Sequence, residues 1–180
     1  VVIDPGHGGI DPGATTRSGL YEKDVVLAVA KVFKKRLERN SRYQVFLTRE
    51  KDVSVRLRER IAIARKRKAD LFVSLHVDAI KNRKVRGISV YTLSEKASSK
   101  EAAALAEKEN KSDFIAGVEG EEPLITNILI DLAQNRSMNE SFIFAKELVK
   151  RFRSGAIVLP NPQRQAGFAV LKSPDTISVL

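Results

Sequence analysis

The chain has no cysteine, so its 180 residues can form no disulfide and offer no thiolate to close a structural metal site. That absence fits any cellular compartment. Tryptophan is missing too, and histidine occurs twice, as His7 and His76. Any imidazole chemistry must therefore use one or both of these. No run of eighteen apolar residues is present, which excludes an ordinary membrane-spanning helix. No signal-peptide pattern occurs either, so the stretch reads as soluble, and its start directly on a strand suggests removed upstream sequence. No repeat or low-complexity tract interrupts it. With 43% hydrophobic residues the chain can bury one core, and a single globular domain, taken as a monomer, is the expectation.

What is present begins with Val1-Val2-Ile3-Asp4-Pro5-Gly6-His7-Gly8-Gly9, an apolar strand ending in a glycine-rich turn that carries a histidine. Glycines free the backbone to turn sharply and approach an ion or substrate. The second histidine closes Leu71-Phe72-Val73-Ser74-Leu75-His76, again a short apolar run with the imidazole at its C-terminal end. In open α/β sheets ligands bind at the C-terminal edge, so two such histidines can converge although far apart in sequence. Without thiols, a mononuclear zinc site of two histidines and one carboxylate is the natural reading, with a position left for water. Glu22 is the candidate carboxylate. It stands at the mouth of a helix, where an acidic side chain also favours the helix dipole, and the two roles are compatible.

The elements DPGHGG-x-DPGA, a glutamate fifteen residues after the histidine, and SLHVDA at a later strand end resemble the zinc-dependent N-acetylmuramoyl-L-alanine amidases of bacterial cell-wall turnover, the type 3 amidases. The resemblance covers 1–180, as one amidase catalytic domain. It implies that His7, Glu22 and His76 are the zinc ligands and that the substrate is peptidoglycan. The bond cut would join the lactyl group of muramic acid to L-alanine, in a periplasmic enzyme of daughter-cell separation. The family places a catalytic glutamate just beyond a strand resembling residues 177–180, so no residue of this stretch takes that role by motif. The catalytic residue is thus unassigned, and the stretch alone is expected to be nearly inactive. Rival readings are a zinc peptidase acting on stem peptides and a non-catalytic peptidoglycan-binding module. Asp4 and Asp78 are expected to orient ligand loops rather than bind metal.

The formal charge of +10 is concentrated between residues 31 and 70, with fifteen Lys and Arg against five Asp and Glu. A nucleic-acid partner is set aside, because these helices lack interleaved aromatics and known motifs. A solvated basic face, or loose attraction to an acidic wall or membrane surface, is the reading instead.

Periodicity predicts a helix over 23–39 with Val26, Val29, Ala30, Phe33 and Leu37 inward, a strand over 43–48, and a second helix capped by Ser54. Further predictions are a strand over 87–93, a helix capped by Ser98 or Ser99, and a flexible loop over 111–122. Two helices should follow, one from Pro123 and one over 138–152 with Phe142 among its inward residues. After prolines 160 and 162, strands are expected over 168–171 and 177–180. The alternation argues for a single α/β domain, a mixed, mostly parallel sheet flanked by helices on both faces. The segment 98–141 is longer than a crossover needs and reads as a regulatory insertion. Relatives with such an insertion imply that Glu109, of the pair Glu109-Asn110, occupies the open zinc position and holds the enzyme closed. They further imply that a LytM-type activator docks over 122–135, on the stripe of Leu124, Ile128 and Leu132.

Overall fold

The computed structural model describes residues 1–77, 85–115 and 128–180, with the backbone alone at 114–115 and 128–132. Strand β1 (Val2–Pro5) leads through the histidine loop into helix α1 (Glu22–Leu37), and β2 (Phe46–Leu47) into α2 (Leu57–Lys66) and β3 (Leu71–Leu75). After β4 (Ile88–Leu93) come α3 (Lys100–Asn110), α4 (Ser112–Ile115) and the long α5 (Ile128–Phe152). The chain closes with β5 (Val158–Ala166), a 3₁₀ turn (Ala169–Leu171) and β6 (Ile177–Val179).

Four strands pair in the order β2-β1-β3-β6, all parallel. Strands β4 and β5 form a parallel pair of their own. Tyr91 and Leu180 exchange two backbone hydrogen bonds, 2.8 and 3.0 Å, which stitch this pair to the end of β6. The α/β expectation of a mostly parallel sheet is met.

Alternation along the strands sorts the core into two layers. Val2 and Phe72 face α2, α3 and the 3₁₀ turn, packing with Ala64, Ala102, Ala106 and Phe168. Ile3 faces α1 with Ala30 and Val45, while Val179 meets Ala145 and Val149 of α5. Helices therefore cover both faces. Both halves of each strand–helix unit return in the same sense, so the C-terminal ends of β1 and β3, with Pro5 beside Leu75, share one edge.

Several local expectations change. The 43–48 strand shrinks to two residues, because the sheet edge at β2 pairs on one side only. Ser54 does not cap α2: its hydroxyl donates to the Gly8 carbonyl at 3.1 Å, and the helix starts at Leu57. Ser99 caps α3, accepting from Ala102 N–H at 3.1 Å. Prolines 160 and 162 lie inside β5 rather than before it, as an outer strand tolerates missing donors. Residues 169–171 form a 3₁₀ turn, since Val170 and Leu171 fill the layer under α2 and α3 from a turn rather than a ladder. Within the expected loop, Ser112–Ile115 is helical, and residues 116–122 lie outside the described ones. The helix expected over 138–152 is part of one longer helix, α5, described from Ile128; the expected start at Pro123 lies outside the described residues. On α5 the polar Ser141 is buried and Phe142 is 40% exposed, and on α1 Val29 is 50% exposed, so both helices bury narrower stripes than expected.

Candidate metal centre

His7 leaves β1 in a left-handed backbone conformation, φ 58°, rare for a residue with a side chain. What holds it there are two buried arginines. Arg49 donates to the carbonyls of Pro5 at 3.0 Å and Gly6 at 2.8 Å. Arg60 donates to those of Pro5 and His7, each at 2.9 Å. The turn thus exposes three consecutive carbonyls inward, and the guanidinium forks satisfy all three. Arg60 is in turn fixed by Asp4 at 2.7 Å, whose carboxylate also accepts from Thr48 at 2.5 Å and Ser74 at 2.8 Å. Asp4 therefore orients the loop, as expected; Asp78 lies outside the described residues.

His7 Nδ1 bonds Asp11 at 2.9 Å, which turns Nε2 towards the centre. His76, one residue past β3, presents Nδ1 to the same point, the two rings lying 4.8 Å apart. Glycine at two positions makes the room. A Cβ on Gly6 would stand 2.4 Å from the His76 ring, and one on Gly13 would meet His7 at 2.6 Å and Glu22 at 2.7 Å. Glu22, the first residue of α1, places Oε1 3.2 Å from both His7 Nε2 and His76 Nδ1. Its orientation is set by backbone donors, Val77 N–H to Oε1 at 2.7 Å and Ala14 N–H to Oε2 at 2.8 Å.

A fourth group arrives from α3. Glu109 Oε2 lies 3.3 Å from His7 Nε2 and 3.1 Å from His76 Nδ1. Among the described residues the buried side-chain atoms without a hydrogen-bond partner are His7 Nε2, His76 Nδ1, Glu109 Oε2 and Thr92 Oγ1. The first three point at one spot, close in distance yet poorly aligned to bond each other. Unpaired buried polar atoms are costly, and a shared cation is what would satisfy them together. Donor atoms of His7, His76 and Glu109 all lie within 4.8 Å of one another, a set able to hold a metal ion. Glu22 fits the same point, since its Oε1 keeps a lone pair beyond the Val77 bond.

The electrostatics agree. Burial alone would lower the His7 pKa, but the Asp11, Glu109 and Glu22 carboxylates raise it to about 11. Burial likewise acts to lower His76, and Glu109 and Glu22 raise it to about 9. Burial would raise both glutamates, yet the two imidazoles hold Glu22 and Glu109 well below the usual carboxylate range. The cluster is an anionic pit that favours positive charge, and a divalent cation with neutral imidazoles would meet that demand.

The site is also covered. The cavity bounded by His7, His76, Glu109, Arg60 and Val170 has a volume of ≈ 10 Å³, room for a single water at most. Asn110 donates to Gly167 O at 2.9 Å and accepts from Ala169 N–H at 2.8 Å. Ser112 donates to Asp11 at 2.7 Å, and Asp113 accepts from Leu57 N–H at 2.9 Å. All four residues predicted for the site, His7, Glu22, His76 and Glu109, are thus brought together. The sequence reasoning missed Asp11, Arg49 and Arg60. Asp11 could have been found from its place four residues after the histidine in an Asp-Pro-Gly turn; the arginines gave no signal among so many cations. The proposed docking stripe is outside the described residues at Leu124, and only backbone is described at Ile128 and Leu132.

A family model described as N-acetylmuramoyl-L-alanine amidase, Amidase_3, matches residues 1–180. The chain is 42% identical over 183 residues to the N-acetylmuramoyl-L-alanine amidase AmiA of Escherichia coli K12, covering 100% of this chain and 63% of that protein. It is 38% identical over 182 residues to AmiC of Escherichia coli O6:H1, covering all of this chain and 44% of that protein. The chain therefore spans less than two thirds of the length of these relatives. Among solved structures, the amidase AmiC2 of Nostoc punctiforme superposes with a TM-score of 0.58 at 27% identity, covering 99% of this chain and 75% of that one. Ami1 of Mycobacterium smegmatis shares the fold, with a TM-score of 0.61 at 18% identity over 99% of this chain and 78% of that one.

Proposed function

The chain belongs to the N-acetylmuramoyl-L-alanine amidase family Amidase_3, and from that premise we propose that it is the zinc-binding domain of an enzyme that cuts the muramoyl to L-alanine amide of peptidoglycan. The observation that carries the metal reading is the convergence of unpaired His7 Nε2, His76 Nδ1 and Glu109 Oε2 on one buried point beside Glu22. His7, Glu22 and His76 would be the resident ligands. Zinc held by them would supply Lewis-acid polarisation of the amide and an activated water. The chain's own part is positional. Asp11 keeps the His7 proton on Nδ1, while Arg49 and Arg60 fix the loop carbonyls so that the ring cannot swing. No residue among 1–180 is assigned as general base.

Glu109 is proposed as an autoinhibitory ligand carried by a regulatory insertion over 98–141. It sits where substrate would have to reach, and the cavity around it leaves room for one water at most. Asn110, Ser112 and Asp113 fasten that segment to the 3₁₀ turn, to Asp11 and to the start of α2. Activation would require a partner that binds the uncovered form better. A LytM-type activator acting through 122–135, in the periplasm and during daughter-cell separation, is proposed from the family resemblance.

The test uses the full-length protein on purified peptidoglycan, with metal analysis and mass spectrometry of the products. One equivalent of zinc and peptide-free glycan are expected, with higher basal activity in Glu109→Ala. Cuts between stem amino acids with the lactyl amide intact would replace the amidase reading with a peptidase one. Binding without any cleavage, in the activated protein, would leave only a wall-binding module.

A further inference from the structure

Helices α1 and α2 both start at the metal edge of the sheet and run back, so their C-termini lie at the opposite edge, where β2 and β3 begin. Sixteen residues of α1 set that separation at about 24 Å at 1.5 Å per residue. Both helix ends are strongly cationic. Residues 34–42 hold five Lys and Arg against Glu38, and Arg65-Lys66-Arg67-Lys68 is an unbroken run. The two segments meet: the Arg67 guanidinium stacks on the Phe46 ring at 4.3 Å, just past Arg42 and Tyr43. Some of this charge is answered locally. Lys34 pairs with Glu38 and Glu50, and Arg65 with Asp175, while Asp70 is exposed nearby. Lys35, Arg36, Arg39, Arg42, Lys66 and Lys68 are exposed. Apolar groups protrude among them, Val32 being 63% and Tyr43 46% exposed.

We propose that this pole docks on an anionic lipid bilayer. Exposed cations at helix ends, with a few apolar side chains between them, suit a flat surface of phosphate headgroups, each cation adding roughly fivefold in affinity near such a surface. A strand-like polyanion would be gripped in a groove with stacking aromatics, and here the charge rides on protruding helix ends beside a single exposed ring. The contact stands without the proposed amidase activity. Joined to it, the arrangement turns the metal centre away from the membrane, towards a polymer lying about a domain's width above it.

The experiment measures co-sedimentation of the protein with phosphatidylglycerol vesicles and with phosphatidylcholine vesicles, at low and high salt. Binding to the first alone, abolished by salt, is expected. The variant Lys35→Glu/Arg39→Glu/Lys66→Glu/Lys68→Glu should lose more than tenfold. The equally charged Lys146→Glu/Lys150→Glu/Arg151→Glu/Arg153→Glu, at the C-terminal end of α5 and just past it, should lose less than twofold. Metal content and melting temperature of each variant check its folding, and the pairs Lys35→Gln/Lys66→Gln and Arg39→Gln/Lys68→Gln serve if the fourfold variant fails to fold. Absence of binding, binding to both lipids alike, or equal loss in both variants would overturn the proposal. So would a pole variant that still binds vesicles but has lost binding to DNA or to wall sacculi, which would assign the pole to a polymer.

Discussion

His7 and Glu109 reach the same point by opposite constructions. His7 is held from behind by a continuous buried scaffold: Asp11 on its ring, Arg60 on its carbonyl, and Asp4, Thr48 and Ser74 behind Arg60. Glu109 is held from the front, at the last turn of α3: Ala102 and Ala106 seat the helix in the core, but around Glu109 itself the attachments are two hydrogen bonds of Asn110, one donated by Ser112 and one accepted by Asp113. Its second oxygen meets Lys108, a half-exposed cation. A group supported by buried, multiply bonded partners can be removed only by disrupting the core. One supported by a few partly exposed bonds can leave while the core stays intact. Under the proposed function, that difference would separate a resident ligand from a removable occupant.

The largest effect that would sharpen this contrast is on metal. His76→Ala should abolish stoichiometric zinc in metal analysis, because one of two imidazoles is gone, whereas Glu109→Ala should keep a full equivalent. Equal loss in both would break the distinction. Next in size, Arg60→Met should destabilise the fold by about 3–5 kcal/mol, since it leaves the buried Asp4 charge unpaired, as read by thermal or denaturant unfolding. Asp4 also fixes the sign with pH. Burial would raise its pKa, but Arg60 with the Thr48 and Ser74 hydroxyls brings it below the ordinary 3.8. The stabilisation is therefore present above that value and lost as pH falls below it, so acid unfolding of the native chain should set in below about pH 4. Smaller still, Asp11→Asn should weaken zinc about 10- to 100-fold without unfolding the protein, the usual cost of removing the carboxylate behind a ligating imidazole.

The sequence carried the four converging side chains and hid their supports, for a physical reason. Histidines are scarce here and sit at strand ends, so His7 and His76 stood out, and Glu22 and Glu109 followed from the family pattern. Arg49 and Arg60 act through burial, and nothing in a chain with 32 Lys and Arg marks which two turn inward. The parallel strands 2–5 and 71–75 were legible from short apolar runs between helices. Less legible were segments whose shape is fixed by neighbours: Val170 and Leu171 look like strand residues but pack from a turn, and Ser54 looks like a cap but bonds the histidine loop. Prolines 160 and 162 read as breaks because a sequence does not show which strand will lie outermost.

The smallest effect tests the frontal attachment itself. Asn110 ties the end of α3 to the 3₁₀ turn with two hydrogen bonds, to Gly167 O and from Ala169 N–H, at the rim of the cavity that His7, His76 and Glu109 line. Asn110→Ala removes both while leaving Glu109, the histidines and their scaffold unchanged. Two such bonds are worth about 1–2 kcal/mol together. If Glu109 is held in place by this attachment, the uncovered form should gain roughly 5- to 30-fold in population, less than when Glu109 itself is removed. Basal peptidoglycan release by the full-length protein should rise by that factor, with zinc content and melting temperature nearly unchanged. A variant with intact zinc and unaltered basal release would show that Glu109 stays in place without the Asn110 attachment, and the contrast between the two constructions would then have to rest on Ser112 and Asp113 alone.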